Sequence, residues 1–406
     1  MTRTTPTRTT PIPTRTTPIP KALSRCVEPL DAAEFLEDYW ERGPLAVERN
    51  EPGRYDDLLS EAEVEQLVCS GGLRYPGFRL VKAGEKLSVR DYTEDVPWRP
   101  APFTGTANVE RVLTEWEHGA TIVLQGLHLA SPAVGAFCRS LEETLGHPAQ
   151  ANAYYTPRAA QGLPVHHDTH DVFVLQVSGR KRWLVYEPVL ELPLRNQRYS
   201  PELGEPGEPV ENRVLKPGDM LYLPRGWLHE ALTSDTDSLH LTVGVNVVTR
   251  LDAVRAALEE CGGDVEFRRS WQSGNGSDEL LEALRERLGP DDVERRARDQ
   301  LVRKRRPIRG GQLGQLRALD DLGPETELER SPTVLADLVE RDGSAALVFE
   351  GRELTFPAHA RDEVVAIADS EGPFSVSDLP GSLDDDGRLV LARRLVREGF
   401  LRISGA

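Results

Sequence analysis

Between Ala149 and Val248 the chain is a succession of short apolar and β-branched runs separated by Pro/Gly turns. No other feature limits the fold as tightly. Strands this short, with turns this frequent, suit a jelly-roll or cupin barrel. Such a barrel can hold a small ligand inside, with every second side chain pointing inward. At its centre lies QGLPVHHDTHDVFVLQVSGRKRWLVYEP, residues 161 to 188. His166 and Asp168 are two residues apart, and on a strand they project from one face. Val172 to Val177 is expected as a strand, Ser178-Gly179-Arg180 as a tight turn, and Arg182 to Tyr186 as the returning strand.

A His-x-Asp pair alone is common on protein surfaces, and its downstream partner gives it meaning. Lys216 to His229 is KPGDMLYLPRGWLH, with a short strand at Met220 to Leu223 between two turns and His229 opening another strand. Two histidines and one carboxylate form the facial set that holds non-haem Fe(II) and leaves positions open for substrate and oxygen. His170 is in phase with His166 and Asp168 and could line the pocket or substitute as a ligand, whereas His167 points to the other face. The run His240 to Asn246 alternates, and its inward set would be His240, Thr242, Gly244 and Asn246, a polar wall for substrate or a core with a satisfied histidine.

These segments carry a resemblance. NAYYTP (Asn152 to Pro157), HHDTHDVFVLQVSGRKRW (His166 to Trp183) and PRGWLHEA (Pro224 to Ala231) are similar, in order and spacing, to the JmjC-type 2-oxoglutarate-dependent oxygenases of the ribosomal oxygenase family. With flanking segments the likeness covers about residues 30 to 250. It implies a double-stranded β-helix with Fe(II) held by His166, Asp168 and His229. It implies that Lys181 pairs with the distal carboxylate of the cosubstrate 2-oxoglutarate, and that Asn152 and Tyr154 line the cofactor pocket, to which the alternation above adds His240. The implied activity is O2-dependent hydroxylation of a protein side chain, histidine or arginine of a ribosomal protein, with NAYYTP leaning toward histidine. Demethylation proceeds by the same chemistry and stays open. Without the resemblance, Lys181 reads as an exposed hairpin lysine. The competing readings are a cupin-based ligand sensor joined to a winged helix and a small-molecule hydroxylase. A sensor has no need of a carboxylate-binding lysine beside an open iron site.

The rest of the chain sets the organisation. Four scattered cysteines, with no C-x-x-C pair, suggest free thiols in a reducing compartment. No apolar run approaches the roughly 18 residues that would span a membrane, and the first twenty residues lack a secretory core. The expected location is cytoplasmic. A net charge of −17 disfavours nucleic acid and suits a basic protein partner. Residues 1 to 24, with three TRTTP repeats, are expected to be a disordered tail. Residues 25 to 250 are the catalytic barrel with a mostly helical lead-in, whose helices are capped by Asp31 and Ser60. Residues 251 to 330 are helical. Leu280, Leu281, Leu284 and Leu288 line one side of a helix from Asp278, and Arg295 to Arg309 is strongly basic. The basic run reads as a solvated helix face or an intersubunit salt-bridge surface, and family members dimerise through helices in this position, so a homodimer is expected. Residues 331 to 406 show a hairpin, three helices and a closing strand, resembling a winged helix. Asp384-Asp385-Asp386 at the start of its last helix oppose phosphate and favour a protein-contact role. The expected fold class is α+β.

Overall fold

The structure, a computed structural model, describes residues 8–12, 22–270, 277–287, 289–332, 334–341 and 343–405. It divides into two compact units, one from Pro20 to Val247 and the other from Val248 to Ala406 together with the N-terminal residues.

Ten strands of the first unit build a cupin-type barrel. They are β1 (Leu45–Val47), β2 (Phe78–Val81), β3 (Thr121–Leu124), β4 (Ala149–Thr156), β5 (Asp171–Gly179), β6 (Lys181–Tyr186), β7 (Glu211–Leu215), β8 (Met220–Leu223), β9 (Leu228–Leu232) and β10 (Ser238–Val245). A seven-stranded sheet runs in the order β1-β8-β5-β10-β4-β3-β2, and a three-stranded sheet in the order β7-β6-β9. Every pairing is antiparallel.

The alternation of side chains divides the large sheet between two cores. Phe173, Leu175 and Val177 of β5, Met220 and Tyr222 of β8, and Leu239, Leu241, Val243 and Val245 of β10 join one core with the helices. That core includes Val134, Phe137 and Leu141 of the helix Pro132–Leu145. The intervening residues Val172, Val174, Leu221 and Leu223 point the other way, packing with Trp183 and Val185 of the small sheet inside the barrel. A strand buried on both faces must be apolar along its length, which is why β5 and β8 are continuous apolar runs. The lead-in helices begin where their caps predict. Asp31 accepts from the Ala33 amide ahead of Ala32–Asp38, and Ser60 forms a capping box with Glu63 ahead of Glu61–Cys69.

Two local expectations are corrected. β5 and β6 do not form a hairpin. β5 pairs with β8 and β10, whereas β6 pairs with β7 and β9 in the other sheet. The turn at Gly179 is therefore a corner between sheets, and Gly179 takes φ 64° with an ideal Cβ only 1.9 Å from the Asp237 carbonyl oxygen. His166 and Asp168 do not lie on a regular strand. They occupy an irregular segment between β4 and β5, where His166 makes a single antiparallel bridge to His229.

In the second unit, helices Arg250–Cys261, Ser277–Arg287 and Pro290–Lys304 precede two small sheets. The Ser277–Arg287 helix matches the expected leucine-lined segment, although Leu288 lies outside the described residues. Strands Ala336–Arg341, Ser344–Phe349 and Arg352–Phe356 form an antiparallel sheet, with Arg8–Ile12 added at its edge. The N-terminal segment was expected to lack structure to residue 24, yet Arg8–Ile12 pairs with this sheet and Ala22–Val27 is helical. Residues 1–7 and 13–21 lie outside the described residues. Pro11 is tolerated because it sits on an edge strand. Helices Arg361–Asp369 and Asp385–Arg397 and the strand Leu401–Ile403 complete the unit around Leu347, Phe349, Ile367, Leu395 and Phe400.

Four arginines of the basic run form ion pairs within this unit. Arg296 meets Asp299 at 2.8 Å, Arg298 meets Asp337 at 2.5 Å, Arg303 meets Glu353 at 3.5 Å, and Arg309 pairs with Glu350. Among the described residues no helix is long and apolar enough to cross a membrane, and Cys26, Cys69, Cys138 and Cys261 are free thiols.

Candidate metal centre and cosubstrate cavity

The barrel encloses a cavity of about 300 Å³. His166, Asp168 and His229 converge at one end, each offering a ligand atom within 4.8 Å of the others. The His229 Nε2 lies 3.7 Å from Asp168 Oδ2. The positioning comes from the backbone. His166 and His229 exchange two main-chain hydrogen bonds, at 3.1 and 2.8 Å, and the Gly226 amide donates to the Asp168 carbonyl at 3.0 Å. The turn Pro224-Arg225-Gly226 thus clamps the irregular segment against β9. Each imidazole is also oriented through its far nitrogen. His166 Nδ1 meets the Pro164 carbonyl at 2.8 Å, and His229 Nδ1 meets the Trp227 carbonyl at 3.0 Å. A carbonyl can only accept, so Nδ1 carries the proton and Nε2 presents its lone pair to the site.

Electrostatics favour the ligating protonation states. Burial, reinforced by neighbouring His166, pushes His229 down to about 4 and keeps it neutral despite Asp168. Burial works to raise the Asp168 carboxyl, but the surrounding imidazoles, His170 foremost, hold it below its usual value. His170 lines the cavity and packs on Gly244, where an added Cβ would lie 3.1 Å from its Nε2. It is not among the three converging ligands. His167 turns away, its Nε2 3.1 Å from the Gln197 carbonyl.

From this end the inner faces of β4 and β10 run in register toward Lys181. Asn152 faces Thr242, Tyr154 faces His240, and Thr156 faces Ser238. The Tyr154 and His240 rings stack at 5.0 Å and 1°, with Trp183 edge-on to His240 at 5.5 Å. Asn152 accepts from the Gly126 amide through Oδ1 at 2.9 Å, which leaves its NH2 as the donating end. His240 is buried, and burial followed by the nearby Lys181 lowers its pKa well below the ordinary value. Asn246, expected on the same wall, follows the end of β10 and is not part of the cavity lining.

Lys181 is not an exposed hairpin residue. It is 4% exposed, and Nζ donates to Thr156 Oγ1 at 2.8 Å. Thr121 donates to the same oxygen at 3.0 Å. Among the described residues no carboxylate pairs with Lys181, and burial lowers its pKa to about 7. A buried cation without a counter-ion is costly. The cavity therefore offers a cation, with the Thr121 hydroxyl on the same wall, opposite a His/Asp/His cluster, which suits a ligand with an anionic end at each pole. Sequence reasoning missed Thr121, Trp183 and Arg79, which line this space, and Thr156, which holds the Lys181 ammonium. The period-two spacing Asn152, Tyr154, Thr156 could have revealed Thr156. Arg79 has no local signal.

Comparison with known proteins agrees with this geometry. A family model described as JmjC domain matches residues 131–252. Ribosomal oxygenase 1 of Gallus gallus is 35% identical over 255 residues, covering 60% of this chain and 40% of the relative. The Drosophila persimilis protein named bifunctional lysine-specific demethylase and histidyl-hydroxylase NO66 is 33% identical over 224 residues, covering 55% of this chain and 31% of the relative. The chain thus spans well under half the length of these relatives. The Escherichia coli ribosomal oxygenase YcfD, solved in complex with cobalt and 2-oxoglutarate, superposes with a TM-score of 0.56 at 17% identity, over 93% of this chain and 99% of that one. Residues 131–252 are a JmjC domain, and the chain carrying it is a homologue of the ribosomal oxygenases.

Proposed function

We propose that this chain is an Fe(II)- and 2-oxoglutarate-dependent oxygenase that hydroxylates a protein side chain, histidine or arginine of a ribosomal protein. The observation that carries this reading is Lys181, a buried cation with no carboxylate partner among the described residues, in one cavity with the His166, Asp168 and His229 cluster. His166 Nε2, His229 Nε2 and the Asp168 carboxylate would hold the metal. Bound iron with 2-oxoglutarate supplies the oxidation of a C–H bond by O2, with succinate and CO2 as coproducts. The chain's own residues bind and orient. Lys181, held by the Thr156 hydroxyl, takes the distal carboxylate. The Asn152 amide donates to oxygens along the same wall. Val172, Val174 and Trp183 exclude water from the path between the two poles.

The appendages are read as protein-contact devices. The helical segment 251–330 would form a homodimer. Residues 331–406 would be a winged-helix-like module for a protein partner, not nucleic acid. Its last helix is capped by Asp384, which accepts from the Gly387 amide at 2.9 Å. Arg388 donates to the Ser377 carbonyl, and Arg394 lies over the Phe356 ring at 5.2 Å, so these charges are used internally.

The test is mass spectrometry of purified ribosomal proteins incubated with the chain, Fe(II), 2-oxoglutarate and O2, read as the gain of one oxygen atom. Asp168→Ala should abolish both that gain and succinate release while leaving the circular-dichroism spectrum of the folded protein. Full turnover in this variant would overturn the metal assignment.

A further inference from the structure

A ring of polar groups closes around Arg225, and none of its members lines the cavity. The guanidinium donates through Nη1 to Asp171 Oδ2 at 3.0 Å and to the Glu41 carboxylate. The Tyr222 hydroxyl donates to Asp171 Oδ1 at 2.8 Å and accepts from the Glu41 amide at 3.0 Å. Each Asp171 oxygen thus has a donor, and the phenol both gives and takes one bond. Arg225, Asp171 and Tyr222 are buried. Glu41, shortly after the lead-in helix Ala32–Asp38, holds a left-handed φ of 59°. A residue with a Cβ is strained there, and such strain persists only where the surroundings impose it.

The place of the ion pair in the chain points to its role. Asp171 opens β5, three residues after Asp168. Arg225 lies in the turn ahead of β9, four residues before His229. The pair therefore ties together the roots of the two segments that carry the cluster. It joins the main-chain bond from the Gly226 amide to the Asp168 carbonyl. One cross-link leaves a hinge, whereas two cross-links three residues apart resist rotation as well as sliding. Stability alone is a poor reason for this arrangement. Apolar side chains of similar volume often match or better a buried ion pair. The Arg225 Nε is also buried with no hydrogen-bond partner among the described residues. What an ion pair adds over apolar packing is direction, because its hydrogen bonds hold only over a narrow range of distance and angle. We propose that Arg225 is a positioning residue that, through Asp171 and with Glu41 as its second anchor, fixes where Asp168 stands relative to His229. This rests on the reading of His166, Asp168 and His229 as the metal site.

The experiment is calorimetric titration of the full chain with Mn(II), with thermal melts alongside. Arg225→Met should lower the melting temperature and weaken Mn(II) roughly tenfold or more, the loss usual when a group that orients a metal ligand is removed. Arg225→Lys keeps the charge but not the planar fork, and should recover part of the affinity. A third variant combines Arg225→Met with Asp171→Asn and Glu41→Gln. It leaves no unpaired buried charge, so its melting temperature should recover toward the wild type, while Mn(II) stays about tenfold weak. Leu141→Ala, in the core between the large sheet and the helices, should lower the melting temperature and leave Mn(II) affinity unchanged. Wild-type affinity in Arg225→Met overturns the proposal. So does affinity that returns with the melting temperature in the triple variant, or an equal loss in Leu141→Ala, since each would make the network merely structural. If Arg225→Met does not fold, the triple variant and Arg225→Lys decide, at about tenfold and threefold. If the wild-type chain binds no Mn(II), the metal reading itself falls and takes this inference with it.

Discussion

Lys181 concentrates the energetics of the site. Its ammonium is held out of water by burial and, among the described residues, donates to one threonine hydroxyl. Removing one partner of a buried pair costs on the order of 3–5 kcal/mol, so Lys181→Ala should raise the 2-oxoglutarate requirement by about 10²–10³-fold or more. Metal binding, made by other residues, should persist. A titration of succinate release against cosubstrate checks this, and an unchanged requirement would remove Lys181 from the site. The same residue predicts a pH dependence. In the free protein Lys181 gives up its proton at about 7. Paired with a carboxylate it would hold the proton to higher pH. Binding above pH 7 must therefore include proton uptake, and affinity should fall by about tenfold per pH unit there while staying level below it. Calorimetry from pH 6 to 9 reads the slope, and Lys181→Arg, always charged, should flatten it. At this scale the metal cluster was legible because His-x-Asp and PRGWLH are local strings. The burial of Lys181 was not, because one residue beyond Arg180 the chain changes sheet. Arg79 was invisible, since its place in the cavity depends on β2 pairing with β3 more than forty residues away.

The elements show why spacing was right about which residues meet and wrong about how. His166 and Asp168 converge although no regular strand carries them, because His229 and the Gly226 amide pin the segment from across the barrel. The strands themselves followed from composition. β5 and β8 fall on the expected apolar runs, since a strand buried on both faces admits little else, and β10 falls on the expected alternating run. Pairing did not follow, because β5 and β6 satisfy turn chemistry equally well as a hairpin or as a corner. Gly179 distinguishes the two. It adopts a left-handed φ of 64°, and its missing Cβ would clash with the Asp237 carbonyl oxygen. Gly179→Ala should cost about 2 kcal/mol or more and displace the start of β6. A thermal melt should show the loss, and cosubstrate affinity should drop because Lys181 is the first residue of that strand. A variant that melts with the wild type would show that the corner tolerates a side chain.

For the whole molecule the open question is what covers the second unit. Helix Arg250–Cys261 leaves Leu251, Val254 and Leu258 exposed at 39–41%, spaced three and four residues apart and so aligned along one face. Leu281, on the expected leucine-lined helix, is 54% exposed, and Leu280 and Leu284 are half-buried. Apolar stripes on two helices of one segment are more than the scattered single residues ordinary on a monomer's surface. The Arg296, Arg298, Arg303 and Arg309 charges of the same segment are already paired within their own unit. An apolar face on a segment whose arginines are already paired suits a second copy of the chain better than a polyanion. We therefore expect a dimer, burying these stripes against each other in an isologous interface. Light scattering at micromolar concentration should give twice the chain mass. Leu251→Glu with Leu258→Glu should give the single mass, because each charge would be buried twice, once per copy, about the two-fold axis. These positions lie outside the barrel, so the paired variant should retain 2-oxoglutarate binding. A wild-type chain that scatters as a monomer would refute the dimer. A paired variant that still dimerises would move the interface to another face. Loss of cosubstrate binding together with dimerisation would show instead that the barrel depends on the partner copy.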